Sequence, residues 1–126
     1  MGLGAGYEYY QTLRDIIPMD VAKELTFTGR ILNGEQAKEV GLVTRVANDP
    51  LAAAMELAEE IAGKNPDAVR AGKALYEQAW HADARTGLEL EAALQAQLIG
   101  TANQIEAVKA NFEKRAPAFQ PATRTG

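Results

Sequence analysis

The sequence predicts a mainly α fold with one short β element. Apolar residues recur at three- and four-residue spacing between proline, glycine and asparagine stops, which is the pattern of amphipathic helices. Roughly a fifth of the residues are alanine and only 6% are aromatic, so helices can pack closely while each buries little apolar area. Only Leu42-Val43-Thr44-Arg45-Val46 has the β-branched density of a strand.

Taken in order, the glycine-rich opening Met1 to Gly6 reads as a loop, and Tyr7 to Ile17 as a short helix stopped by Pro18. A second helix starts at Pro18 or Met19, carries Val21, Ala22, Leu25 and Phe27, and stops at Gly29. Asn33-Gly34 signals a turn, Glu35 to Val40 two helical turns, and Gly41 a stop before the strand candidate Leu42 to Val46. Asp49-Pro50 supplies an N-cap and an N1 proline for a helix to about Gly63, with Leu51, Met55, Ala58 and Ala62 on one face. The next helix runs from about Pro66 to Trp80 with Val69, Gly72, Tyr76 and Ala79 aligned, Gly72 being small enough to admit another backbone. After a junction at His81 to Gly87, a long helix reaches Ile99 on Leu90, Leu94 and Leu98. Thr101 and Gln104 form a capping-box pattern for the last helix, whose apolar residues are Ile105, Val108 and Phe112. From Gln120 to Gly126 the chain is polar and reads as a frayed tail. The organisation is therefore 1–48, a loop, helices and the strand; 49–119, a helical region; and 120–126, a flexible tail.

A chain of 126 residues with net charge −4 and pI near 5.0 suits one modest soluble domain. With no cysteine, a disulfide framework and a thiolate metal site are excluded, and His81 is the sole histidine, so structural zinc is disfavoured. Apolar runs are short and the start lacks a basic region followed by an apolar one, so a cytoplasmic, membrane-free protein is expected. Charge is uneven: from Lys109 onward, Lys109, Lys114, Arg115 and Arg124 face only Glu113. The acidic remainder disfavours nucleic acid, while a small phosphate-bearing ligand suits the C-terminal end.

Individual residues each admit two readings. Gly2 to Gly6 has no preceding strand, so a dinucleotide loop is disfavoured. Glu8 as a general base competes with a solvated first-turn glutamate, and the Tyr9-Tyr10 pair can stack on a ring or fill a packing contact. Glu59-Glu60 and Glu89/Glu91 sit one or two residues apart, a spacing that does not converge on one helix face. His81 can titrate near neutrality or serve structure. Lys114-Arg115 can complement a helix dipole or contact a phosphate.

The order of segments Leu25-Thr26-Phe27-Thr28-Gly29-Arg30, then Glu35-Gln36-Ala37-Lys38-Glu39-Val40-Gly41-Leu42-Val43-Thr44-Arg45-Val46, then Glu113-Lys114-Arg115-Ala116-Pro117-Ala118-Phe119, resembles the crotonase family, the enoyl-CoA hydratases and isomerases. The resemblance extends from about Gln11 to Phe119 and covers only the back half of a crotonase. Gly2, Gly6, Gln11 and Leu13 fit the family's glycine-rich segment, whereas Glu8, Tyr9 and Tyr10 depart from it. It implies the C-terminal part of a crotonase-type α/β spiral plus its helical oligomerisation region. In that family a thioester carbonyl is polarised by two backbone N–H groups and glutamates move water or a proton. These groups lie upstream of the matching segment, so no catalytic residue is assigned here.

The resemblance further implies a trimer-based homo-oligomer and a coenzyme A thioester as substrate, with no separate cofactor. It assigns Lys114 to the CoA phosphates across a subunit interface. Where the family often has phenylalanine three residues before that lysine, this chain has Asn111, with Phe112 beside it. Two functions are carried forward. One is the C-terminal segment of a hydratase or isomerase in acyl-CoA (fatty acid) metabolism, not catalytically competent alone; the other is a non-catalytic helical module for self-association or docking.

Overall fold

The computed structural model describes residues 10–123, and among them the regular secondary structure is all α-helix. It divides into two compact units, one up to Ala53 and one from Ala54.

In the first unit α1 (Tyr10–Leu13) is a single turn, and the chain leaves it through turns in which Ile16 and Ile17 both donate to the Leu13 carbonyl at 3.0 Å. The helix expected over 7–17 is therefore shorter at its C-terminal end, and residues 7–9 lie outside the described residues. Helix α2 (Met19–Thr28) follows Pro18 and buries Leu25. Gly29 closes it at φ 61°, its N–H on the Leu25 carbonyl at 3.0 Å, a conformation that glycine adopts without Cβ strain.

Helix α3 (Gly34–Glu39) is opened by a reciprocal cap. Asn33 Oδ1 accepts from the Gln36 amide at 2.9 Å and Gln36 Oε1 from the Asn33 amide at 3.0 Å. Beyond α3, Leu42 donates to the Ala37 carbonyl at 2.8 Å, and Gly34 abuts Val46, where an added Cβ would stand 3.3 Å from Cγ1. The strand expected at Leu42 to Val46 does not form: among the described residues no strand lies beside it to supply ladder hydrogen bonds. The segment spends its first amides on the helix end instead.

Helix α4 (Pro50–Ala62) crosses the division between the units and begins where the Asp49-Pro50 signal puts it. Asp49 Oδ1 accepts from the Ala52 amide at 3.0 Å. No residue of α4 is buried, and Leu51 is 73% exposed. The apolar face foreseen for this helix is present in the sequence but uncovered here.

In the second unit α5 (Pro66–Ala79) is capped by Asn65, whose Oδ1 accepts from Asp67 and Ala68 at 3.0 and 3.4 Å. It packs against α6 (Ala84–Leu98), with the Gly87 position about one van der Waals contact from Ala79. Helix α6 starts inside the junction expected over His81 to Gly87, at Ala84, because Asp83 caps it through the Thr86 amide and hydroxyl, both at 2.9 Å. Those bonds hold the Asp83 carboxyl below its usual pKa range. Gly72 has open space about it, so the close backbone approach expected there is absent among the described residues.

Helix α7 (Ala102–Phe112) has Thr101 as N-cap, yet Gln104 Oε1 accepts from the Gly100 amide, one residue before the partner a capping box would use. Ile105, Val108 and Phe112, the apolar residues read for this helix, are all exposed. Asn103 and Ala110, on the opposite side, are buried at 3% and 2% exposure. The inversion has a local cause: the chain after α7 turns back and lies along the 103/106/110 face.

Candidate functional site

The site is built at the C-terminal end of α7. Glu113 caps the helix, and Lys114 then takes φ 52°, the left-handed region, where a Cβ is strained. Among the described residues it is the one non-glycine with positive φ. Its amide donates to Asn111 at 3.3 Å while that of Arg115 donates to Ala110 at 3.0 Å, the paired bonds of a Schellman ending. Glycine usually fills that position; here it is a lysine, whose Cβ bears the strain.

The turn reverses the chain, and three steps fasten it against α7. The Arg115 guanidinium meets Glu106 with two bonds, Nη1 to Oε1 at 2.6 Å and Nη2 to Oε2 at 3.0 Å, while its Nε reaches Glu113 at 2.6 Å. Glu106 Oε1 also accepts from the Ala118 amide at 2.7 Å. The arginine bond and then the amide bond hold the Glu106 carboxyl down at about 2, and its two carboxylate partners raise Arg115 above its usual range. Further on, both backbone groups of Gln120 pair with the Asn103 side chain, and the Thr123 amide donates to Asp67 Oδ1 at 2.8 Å. Gln120 and Thr123, within the segment read as a flexible tail, are thus hydrogen-bonded to helix side chains, while residues 124–126 lie outside the described residues.

The two adjacent cations have different situations. Arg115 is spent on Glu106 and Glu113, whereas Lys114, exposed beside them, takes no ion pair among the described residues. A lysine ammonium with three donors and no carboxylate partner, held out by a strained turn, is suited to an anion such as a phosphate. Lys109 makes a long contact of 3.9 Å to Glu113 and belongs to the same basic end. Phe112 is 82% exposed next to this turn, and Asn111 is exposed as well.

The other sequence candidates stand apart. Glu59 and Glu60 are exposed on α4, and Glu89 and Glu91 on α6, where Glu89 pairs with Arg85 at 2.9 Å. His81 lies in the exposed turn between α5 and α6. Glu8, Tyr9 and the Gly2 to Gly6 loop are outside the described residues, and Tyr10 opens α1. Sequence reading missed Glu106, Asn103 and Asp67, whose partners are nine to fifty-six residues away and leave no local pattern. The run Glu113-Lys114-Arg115 was the one available pointer to this corner.

Residues 1–122 match the family profile described as enoyl-CoA hydratase/isomerase. The mouse mitochondrial enoyl-CoA hydratase domain-containing protein 2 is 40% identical over 124 residues, covering 94% of this chain and 42% of that protein. Mouse mitochondrial methylglutaconyl-CoA hydratase is 37% identical over 116 residues, covering 87% of this chain and 37% of that protein. Among solved structures, an enoyl-CoA hydratase from Bacillus anthracis superposes with a TM-score of 0.81 at 38% identity, covering 86% of this chain and 43% of its own. The chain therefore spans about two fifths of the length of these relatives.

Proposed function

The chain belongs to the enoyl-CoA hydratase/isomerase family, and we propose that it does the work of that family's C-terminal helical part in acyl-CoA metabolism. In this reading the helices assemble subunits on a trimer-based plan, and Lys114 meets the phosphates of a coenzyme A thioester bound across a subunit interface. The observation that carries the reading is Lys114 itself, held at φ 52° without an ion-pair partner among the described residues while Arg115 is fully engaged.

The same reading assigns the reaction to groups outside these residues. Hydration of an enoyl thioester needs donors preorganised at the developing oxyanion, usually the largest catalytic contribution, and a carboxylate placed to move the proton. By resemblance both belong to the region before the matching segment, and the glutamates described on α4 and α6 are dispersed on exposed helix faces. The 126-residue chain assayed alone then shows no saturable hydration of crotonyl-CoA. It binds coenzyme A with a contribution from Lys114, and pantetheine, which lacks the phosphates, does not substitute. Turnover by the pure chain, or equal binding of pantetheine, refutes the respective half of the proposal.

A second reading, a non-catalytic module that self-associates or docks on longer relatives, draws on α4, whose Leu51, Met55, Leu57 and Ile61 all stay exposed. Fully covering one such side chain contributes about 1.5–3 kcal/mol, so these uncovered side chains, Leu51 and Met55 on one side of the helix and Leu57 and Ile61 on another, favour association. Mixing the chain with the upstream half of a family member separates the two: restored hydratase activity supports the first, and assembly without activity the second.

A further inference from the structure

The segment that returns along α7 is fastened at its far end by an amide and a carboxylate with no other evident task. Asn103 is 3% exposed, and both ends of its side chain are used. Its Nδ2 donates to Asp67 Oδ2 at 2.8 Å and to the Gln120 carbonyl at 3.0 Å, and its Oδ1 accepts from the Gln120 amide at 2.8 Å. The second oxygen of Asp67 takes the Thr123 amide at 2.8 Å. Matching of this completeness in a buried amide specifies one arrangement, because any shift leaves a donor or acceptor unsatisfied.

The fastened segment begins at Lys114. Its register along α7 is regular: Arg115 N on the Ala110 carbonyl, Ala118 N on Glu106, Gln120 on Asn103. Residue 114 is thus the hinge between a helix and a strap that is pinned along its length. Left-handed backbone at a residue with a Cβ persists only where its surroundings hold it, and release of the strap lets residue 114 relax into an ordinary conformation.

We propose that Asp67 and Asn103 are positioning residues for Lys114: by fastening residues 120–123 they hold the hinge that presents the Lys114 ammonium to an anionic ligand. The inference rests on the reading of Lys114 as a coenzyme A phosphate contact. The test is calorimetric titration of the full 126-residue chain with coenzyme A.

Asn103→Asp sets a carboxylate against Asp67 and the Gln120 carbonyl, and is expected to weaken binding about three- to ten-fold, the value of one charge-assisted contact. The exchange Asn103→Asp with Asp67→Asn rebuilds the donor–acceptor pair between the two side chains while the carboxylate still faces the Gln120 carbonyl, so it is expected to bind coenzyme A more tightly than Asn103→Asp and less tightly than the starting chain. In a Lys114→Ala background Asn103→Asp is expected to leave affinity unchanged. If Asn103→Asp does not fold, Asp67→Asn, which faces one amide group with another, is read in the same way.

Weakening of equal size with and without Lys114 overturns the positioning role, because the effect is then general disruption. So does Asn103→Asp with undiminished affinity. A parent chain that does not bind coenzyme A overturns the reading of Lys114 and the inference together.

Discussion

Replacing Lys114 by glycine and by alanine asks opposite things of a left-handed and of a helical residue. At φ 52° a Cβ costs about 1–2 kcal/mol, which glycine relieves and alanine retains. Against this, glycine frees the unfolded backbone by about 0.4–1 kcal/mol. The balance puts Lys114→Gly about 0.5–1 kcal/mol above Lys114→Ala in stability. Were residue 114 a continuation of α7, glycine would instead fall about 0.8–1.0 kcal/mol below alanine. The two possibilities differ in sign, so the comparison does not depend on the accuracy of either magnitude. Urea unfolding with matched slopes reads the difference, and thermal melts should separate the pair by about 2–5 °C. Both variants should lose the coenzyme A contribution that the lysine supplies. An alanine variant as stable as the glycine variant, or more so, refutes the reasoning from backbone strain.

Glu106 is held at about 2 against an ordinary 4.5, so the stability it contributes is complete above about pH 4.5 and is lost as pH falls through about 2. In acid titrations followed by circular dichroism, Glu106→Gln should be less stable than the parent near neutrality and flatter across that window; parallel acid limbs contradict the pairing with Arg115. Gly72 lies within α5 with open space around its missing Cβ, so Gly72→Ala should stabilise by about 0.5–1 kcal/mol, seen as a higher melting midpoint. Asn65→Ala removes the cap of α5 and should cost about 1 kcal/mol in the same melts. An unchanged midpoint would show that the cap hydrogen bond contributes little.

The features legible in the sequence were those decided within one helical turn. Asp49-Pro50, Gly29 and Thr101 each act on an amide or carbonyl at most four residues away, and each bounds a helix where its chemistry says. Helix starts decided by a less obvious side chain were misplaced, as Asp83 shows by opening α6 before Gly87. Two features needed distant partners and could not be read. Leu42 to Val46 has strand composition, but a strand exists only beside another, and none lies alongside among the described residues. The apolar stripe Ile105, Val108, Phe112 pointed to one face of α7, while the face covered in the fold is set by Asn103, Glu106 and a strap up to seventeen residues on. Of the candidate site, Lys114 was legible through its neighbours Glu113 and Arg115, but the left-handed turn that distinguishes it from Arg115 was not.

The uncovered side chains of α4 and α7 connect the fold to its proposed use. Among the described residues the buried apolar ones are few: Ile17, Leu25 and Ala37 in the first unit and Ala110 in the second. Leu51, Met55, Ile105 and Phe112 remain available to whatever packs on these helices.

The most direct test of the central claim, that this family segment carries a coenzyme A contact at Lys114, is thermal unfolding of the pure chain with and without excess coenzyme A. A ligand that binds only the native state adds about 2.7 kcal/mol at a hundred times its Kd, so the predicted result is a raised midpoint that Lys114→Ala diminishes. A cooperative melt whose midpoint stays fixed at high coenzyme A would contradict the claim, leaving Lys114 as an ordinary charge at a helix end.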